Sequence, residues 1–363
     1  MAATKKYRFI LSGGGTGGHL FPAVSIAREI LRRFPDAEIL FVGAEGRMEM
    51  TRVPEAGFRI EGLPIAGLQR RLTAKNFLLP VKILKSLSKA FAIIKRFKPD
   101  AVIGTGGYAS APVVWAAQFK KIPTFIQEQN SYPGLTNRFL ARKAVKVFTA
   151  YPGADKYFPR GKTLLTGNPV RKDIIRLPSE TEALRHFGLR EDKPVILVLG
   201  GSLGAAAINR AVASVVESGA LPQVQWLWQT GKNYYDRYKA MANDNVKILP
   251  FIKEMNKAYS AADIVISRAG AGTLSELAVA GKPAVLIPSV NVAEDHQTKN
   301  ARALSEKNAA VLLPEAETDR LADVLKELIS QPEKREELAR NIRSLAKPDA
   351  TEKIVEVIKK HLE

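Results

Sequence analysis

His19 closes a run of small residues, Ser12-Gly13-Gly14-Gly15-Thr16-Gly17-Gly18. Imidazole is largely neutral at pH 7 yet basic enough to take a proton, so His19 is a candidate general base. Glycines let the backbone approach an anion, and a helix that starts there offers unpaired N–H groups to it. The loop by itself predicts a bound phosphate. Two other roles stay open for His19: shaping the loop and contacting a substrate phosphate. Glu128 is the rival base, or else a carboxylate that orients its neighbours. The other histidines, His186, His296 and His361, form no metal-ligand spacing, and with no Cys there is no thiolate chemistry.

Two further loops of the same kind follow, Gly104-Thr105-Gly106-Gly107-Tyr108-Ala109-Ser110 and Gly200-Gly201-Ser202-Leu203-Gly204-Ala205. One such loop can be a plain tight turn. Three at strand ends in one chain point to a phosphorylated ligand, with Thr16 and Ser202 adding hydroxyls. A fourth turn, Arg268-Ala269-Gly270-Ala271-Gly272-Thr273-Leu274-Ser275-Glu276, precedes a helix. Glu276 is expected in the first turn of that helix, either as a cap or as an acceptor for ribose hydroxyls. Gln297 either bonds sugar hydroxyls or sits in an exposed first turn.

The elements that must position these residues are short apolar runs alternating with amphipathic stretches. Strands are expected at 7–12, 39–43, 101–104, 124–127 and 146–150, then at 195–199, 224–229, 246–249, 264–267, 284–288 and 310–313. Helices are expected at 21–33, 77–97, 111–120 and 134–144, then at 205–217, 255–262, 272–280, 295–307, 319–345 and 350–362. This predicts an α/β fold of two Rossmann-like doubly wound domains with a cleft between them. Residues 1–165 form the first domain and 166–345 the second, with the break at Thr166-Gly167-Asn168-Pro169. The last helix, 346–363, packs back on the first domain.

Lys and Arg number 55 against 36 Asp and Glu, a formal charge of +19 in 363 residues. That balance favours a polyanionic partner: nucleic acid, an anionic membrane face or a phosphorylated substrate. No nucleic-acid motif is present, so nucleic acid is not expected as a partner. No apolar run is long enough to span a bilayer, and the N-terminus lacks a signal-peptide core. The chain is expected to stay where it is made. Gly13-x-Gly15-x-x-Gly18 followed by Asp36 or Glu38 formally matches a dinucleotide fingerprint, which makes a nicotinamide dehydrogenase the alternative reading.

In combination the motifs carry a resemblance. Gly14-Gly15-Thr16-Gly17-Gly18-His19 with Phe21-Pro22-Ala23, Gly104-Thr105-Gly106-Gly107-Tyr108, Glu128-Gln129-Asn130, Gly167-Asn168-Pro169-Val170-Arg171, Gly200-Gly201-Ser202-Leu203-Gly204, Ser275-Glu276-Leu277 and the segment from Asp295 to Ala301 follow one another along the chain. In this order they resemble the MurG family, the peptidoglycan N-acetylglucosaminyltransferases. The resemblance implies a GT-B fold and inverting transfer of GlcNAc from UDP-GlcNAc to lipid I, giving lipid II. It implies a donor site built from Thr16, Gly17, Gly18, Asn130, Arg171, Ser202, Ile252, Ala271, Gly272, Thr273, Leu274, Ser275, Glu276 and Gln297, with the Ile252 backbone on the uracil. Gly106, Gly107 and Tyr108 are assigned to the acceptor. No cofactor is expected. With no Asp-x-Asp motif to chelate a nucleotide-bound cation, transfer without a metal is expected.

Residues 77–91 mix bulky apolar side chains with lysines, and Lys75, Lys82, Lys85 and Lys89 share one side of a helix. Such a helix either packs on the core with a solvated basic face or lies in a membrane interface. A lipid-linked acceptor favours the second. Arg70, Arg71 and Trp115 are expected to belong to the same patch. The expectation is peripheral attachment to the anionic inner leaflet, on the cytoplasmic face; the oligomeric state is left open.

Overall fold

A computed structural model of the chain describes residues 6–65, 79–201, 203–290 and 295–363. It divides into one unit of Met1–Pro169 with Pro348–Glu363 and a second of Val170–Lys347.

The first unit holds a parallel sheet of β1 (Arg8–Gly13), β2 (Glu38–Ala44), β3 (Arg59–Leu63), β4 (Ala101–Gly106), β5 (Thr124–Glu128), β6 (Lys146–Thr149) and β7 (Thr163–Leu165), in the order β3-β2-β1-β4-β5-β6-β7. Successive side chains of a strand leave on opposite faces. Phe9 and Leu11 therefore join one core with Phe41, Ile103 and Phe125, while Ile10 joins another with Leu40, Val102 and Ile126. The first core is closed by α1 (Gly17–Arg33) and α2 (Glu49–Glu55), the second by α3 (Leu79–Phe97), α4 (Ala111–Phe119) and α5 (Leu135–Leu140).

The second unit repeats the plan. Its sheet holds β8 (Val195–Leu199), β9 (Gln225–Gln229), β10 (Val246–Leu249), β11 (Ile264–Ser267), β12 (Ala284–Leu286) and β13 (Val311–Leu312), in the order β10-β9-β8-β11-β12-β13. Around it lie α6 (Lys172–Ile175), α7 (Glu180–Phe187), α8 (Ala206–Glu217), α9 (Tyr235–Tyr238), α10 (Met255–Ala261), α11 (Ala271–Ala280), α12 (His296–Ser305), α13 (Leu321–Ser330) and α14 (Pro332–Ser344). After Pro348 the chain returns to the first unit as α15 (Ala350–Leu362). Ile354, Val355 and Ile358 of this helix are fully buried in the core beneath α1. Each such side chain contributes about 1.5–3 kcal/mol.

Several boundaries differ from expectation. Helix α1 starts at Gly17 rather than at Phe21, so His19 stands in its first turn. Gly17 and Gly18 are poor helix formers, but the carbonyl of Thr16 accepts from the N–H groups of His19 and Leu20, both at 3.2 Å, and anchors the turn. The stretch 134–144 keeps only a short helix, Leu135–Leu140. The segment expected as one helix over 319–345 is broken: α13 ends at Ser330 and α14 starts at Pro332, whose ring cannot continue the helix before it.

Candidate active site

In open α/β sheets a ligand crevice forms where neighbouring strands send their helices to opposite faces, beyond the strands' carboxyl ends. In the first sheet that point lies between β1 and β4, and in the second between β8 and β11. Residues 14–16 join β1 to α1 and residues 107–110 join β4 to α4; Gly200, Gly201, Leu203 and Gly204 follow β8, and Arg268–Gly270 follow β11. The topology thus brings the four glycine-rich turns to the two switch points.

At the first switch point the register between β1 and β4 slips, so that Ser12 faces Gly104 but Gly13 faces Gly106. The loops then touch. Gly107 has φ +76°, and a Cβ there would lie 2.4 Å from the Gly14 carbonyl oxygen, so only glycine fits. Thr105 Oγ1 donates to the His19 carbonyl at 2.7 Å. Nδ1 of His19 lies 3.1 Å from the Thr105 carbonyl and 2.9 Å from Gln129 Oε1. Both are acceptors, so Nδ1 carries the proton and Nε2 keeps its lone pair. Nε2 has no hydrogen-bond partner among the described residues. The N–H groups of Gly17 and Gly18 likewise have no acceptor among them. Tyr108 and Gly107 are half-buried beside this loop.

Glu128 is no free base. It is 1% exposed, and its two oxygens are enclosed by donors. Oε1 accepts from Asn130 N at 3.0 Å and Asn130 Nδ2 at 3.3 Å; Oε2 accepts from Gly134 N at 3.3 Å and Asn137 Nδ2 at 2.8 Å. Burial pushes its pKa up, opposed by these donors and by nearby His19. These four bonds fix Asn130 and the turn after β5.

At the second switch point, Gly204 (φ +86°) has no room for a side chain, because a Cβ would lie 2.1 Å from the Thr230 carbonyl oxygen. Gln229 joins the parts: its Nε2 donates to Gly201 O at 3.1 Å and its Oε1 accepts from Ile252 N at 2.8 Å. The Ile252 N–H is therefore engaged, and its carbonyl is the backbone group left for a ligand. Ser202 lies outside the described residues.

Helix α11 starts at Ala271, which places Glu276 in the second turn and corrects the expectation of the first; no acidic residue stands in the first turn, and the capping alternative falls. The Glu276 carboxylate instead accepts from the Tyr259 hydroxyl at 3.1 Å and lies 3.4 Å from Arg171 Nε. Burial raises its pKa while Arg171 opposes the rise. Gly272 and Thr273, at the helix start, have N–H groups without an acceptor among the described residues. Leu274 gives a ligand nothing: its side chain is 2% exposed and its N–H bonds Gly270 O. Ser275 Oγ donates back to Ala271 O at 2.9 Å. Gln297 Oε1 accepts from Ser289 N at 3.0 Å, which ties the start of α12 to the loop after β12.

Sequence reasoning missed Glu49, Asn137 and Tyr259, and gave Gln129 no role beyond its place in the Glu128-Gln129-Asn130 motif. Buried Glu49 accepts from Ala44 N at 3.0 Å and Gly15 N at 3.1 Å, filling the inner side of the first loop with a carboxylate. This counts against the dinucleotide reading, which needs that side for a pyrophosphate. Glu38 opens β2 rather than closing it, and it pairs with Lys6 at 2.7 Å. It therefore stands at the wrong end of the sheet for a cofactor ribose. Among the described residues no cluster of His, Asp and Glu could hold a metal ion.

Helix α3 has a core-packed part and an exposed part. Ala90, Ile93 and Ile94 are buried in the core, whereas Leu84 is 67% exposed beside exposed Val81, Lys82, Ile83 and Lys85. Lys89 is paired with Glu45 at 2.9 Å. Half-buried Trp115 stacks on Phe119, which is 62% exposed, and both meet Phe91 edge-on. Arg70, Arg71, Lys75, Phe77 and Leu78 lie outside the described residues, and no described helix is long and apolar enough to cross a membrane.

Family models match both parts of the chain: the glycosyltransferase family 28 N-terminal domain over residues 9–149 and the family 28 C-terminal domain over residues 195–354. The chain is 51% identical over 362 residues to the UDP-N-acetylglucosamine–N-acetylmuramyl-(pentapeptide) pyrophosphoryl-undecaprenol N-acetylglucosamine transferase of Flavobacterium psychrophilum, covering 99% of each chain. The protein of the same description from Cytophaga hutchinsonii is 49% identical, over 98% of this chain and 97% of its own. Among solved structures, Acinetobacter baumannii MurG superposes with a TM-score of 0.77 at 32% identity, covering 98% of this chain and all of that one.

Proposed function

The chain belongs to the MurG family of glycosyltransferases, and from that premise we propose how its residues divide the reaction. The protein is a glycosyltransferase that moves GlcNAc from UDP-GlcNAc to undecaprenyl-pyrophosphoryl-MurNAc-pentapeptide, converting lipid I to lipid II. The MurNAc 4-hydroxyl attacks the anomeric carbon from the side opposite UDP. The new C–O bond forms as the bond to the diphosphate breaks, and the anomeric centre inverts.

Two demands follow. The hydroxyl must lose its proton, and the departing diphosphate must be stabilised as charge builds on it. One observation carries the assignment of the first: Nδ1 of His19 faces two acceptors, which leaves Nε2 as the basic nitrogen. His19 Nε2 takes the hydroxyl proton, with Gly106, Gly107 and Tyr108 beside the acceptor. For the second, we assign the phosphates to the unengaged N–H groups of Gly272 and Thr273, together with Arg171. Glu276 accepts the ribose hydroxyls, the Ile252 carbonyl meets the uracil, and Asn130 and Gln297 hold the sugar. The overall charge of +19 favours approach of both anionic substrates.

The function is tested by transfer of labelled sugar from a panel of UDP-sugars to a lipid I analogue. UDP-GlcNAc is expected to be preferred by about tenfold or more in kcat/KM. Hydride transfer with NAD(P)H and no sugar transfer would overturn the reading.

Because the acceptor is lipid-linked, we place the protein on the cytoplasmic face of the membrane, docked through Val81, Ile83, Leu84 and Phe119 with Lys82 and Lys85 against anionic headgroups. Each lysine near such a surface is worth about 1 kcal/mol. Reversing both, Lys82→Glu with Lys85→Glu, is expected to weaken co-sedimentation with anionic vesicles by about tenfold or more, leaving neutral vesicles unaffected. Equal sedimentation of the parent protein with both vesicle types counts against the docking.

A further inference from the structure

Gln129 follows β5 and is 1% exposed. The two ends of its amide are sorted by what surrounds them. Nε2 donates to Thr105 O at 2.6 Å, to Gln127 O at 3.2 Å and to Gln127 Oε1. All three are acceptors, so the nitrogen end must point there, and Oε1 is the end left facing His19 Nδ1 at 2.9 Å. Gln127 is sorted in turn, since its Nε2 donates to Asn168 Oδ1 at 3.0 Å, which leaves its own Oε1 for Gln129. Asn168 Nδ2 then donates to the Gln129 carbonyl at 3.1 Å and closes the chain of amides. All three amides are buried, and Asn168 stands two residues before Val170, where the second unit begins.

We infer that Gln129 is a positioning residue for the transfer: it holds His19 in the tautomer with the proton on Nδ1, while Gln127 and Asn168 hold Gln129. A neutral imidazole free in water prefers the proton on Nε2, the form that cannot take a proton at that atom. An apolar side chain at position 129 would leave the Thr105 carbonyl, at 3.1 Å, as the remaining acceptor for Nδ1. One of the two acceptors that favour the Nδ1-protonated form would be gone, so the Nε2-protonated form would gain population. A buried chain of amides can act this way because each has one donor end and one acceptor end, so fixing one fixes the next. The inference rests on the reading of His19 as the base, yet its readout is separate from turnover.

The test uses the full chain labelled with ¹⁵N-histidine. It has four histidines, and His19→Gln identifies the His19 signals. At about pH 8, where imidazole is neutral, the ring nitrogen shifts report the tautomer. The expected result for the parent protein is a protonated Nδ1 and a bare Nε2. In Gln129→Met the Nε2-protonated form gains population, and kcat falls about tenfold or more while the KM for UDP-GlcNAc stays within about twofold. Asn168→Ala, which leaves Gln129 in place, gives the same change in smaller degree. A parent ring protonated on Nε2, or a Gln129→Met ring with the parent tautomer, overturns the inference. Retained kcat in His19→Ala would instead remove the base reading and leave the tautomer measurement standing.

Discussion

His19→Ala lowers kcat by about 10²–10⁴-fold, the span that positioned general bases contribute. The KM for UDP-GlcNAc changes little, because the ring's partners Thr105 and Gln129 belong to the first unit while Glu276, Tyr259 and Arg171 belong to the second. The backbone of the first turn of α1 is held by the Thr16 carbonyl and by Thr105 Oγ1, neither of which needs the imidazole. The fold should therefore persist, with a loss of about 1–3 kcal/mol for the buried Gln129 Oε1 left without its donor. His19→Gln is the companion variant: its amide can still donate toward Gln129 but cannot act as a base, so kcat falls alike with less loss of stability. Steady-state rates with a lipid I analogue separate the competing roles. A residue that only contacts an acceptor phosphate raises the acceptor KM and keeps kcat at saturation. That outcome, with intact folding, removes His19 from proton transfer.

What the sequence revealed follows the physics of each element. The runs 195–199 and 264–267 match β8 and β11, because strands inside a parallel sheet read as continuous apolar stretches. The strands β3 and β7 were invisible, and both lie at the edges of their sheet. β3 is half polar, with Arg59 and Glu61, and β7 is three residues long with exposed leucines. The helix α2 carries Pro54 and was hidden by it. At the site, the glycines and His19 were legible because their chemistry is local in the chain. Glu49 was not, since it reaches Gly15 across 34 positions, nor was Tyr259, which reaches Glu276 across 17. A buried carboxylate or amide that serves a loop is brought there by topology, and no local pattern marks it. Glu276 lies in the second turn because the turn after β11 sets the helix start at Ala271, one residue before the expected 272.

Glu276→Ala is expected to raise the KM for UDP-GlcNAc by about 10²-fold or more with little change in kcat at saturating donor. Hydrogen bonds to a charged acceptor are worth about 1.5–3 kcal/mol each, and two ribose hydroxyls are at stake. The carboxylate has capacity for them: Tyr259 occupies one lone pair and Arg171 lies 3.4 Å away, without a hydrogen bond at Nε or Nη2. Burial raises the Glu276 pKa, and this sets opposite pH trends for binding and stability. Binding needs the ionised form, so the donor KM of the parent protein rises as pH falls through the raised folded value, and Glu276→Gln flattens that limb. Stability runs the other way. A carboxyl whose folded pKa lies above its unfolded one stabilises the fold fully below the unfolded value, and that contribution is lost as pH rises through the folded value. Glu276→Gln stays neutral throughout, so its stability relative to the parent improves as pH rises across that window. Thermal denaturation and donor KM measured on the two proteins at matched pH check both limbs. A stability difference that is flat with pH removes the raised pKa, and a donor KM in Glu276→Ala within about twofold of the parent removes Glu276 from the ribose site. The opposition has a physical basis: the fold would be more stable without this half-buried charge, whereas the proposed ribose contact needs it.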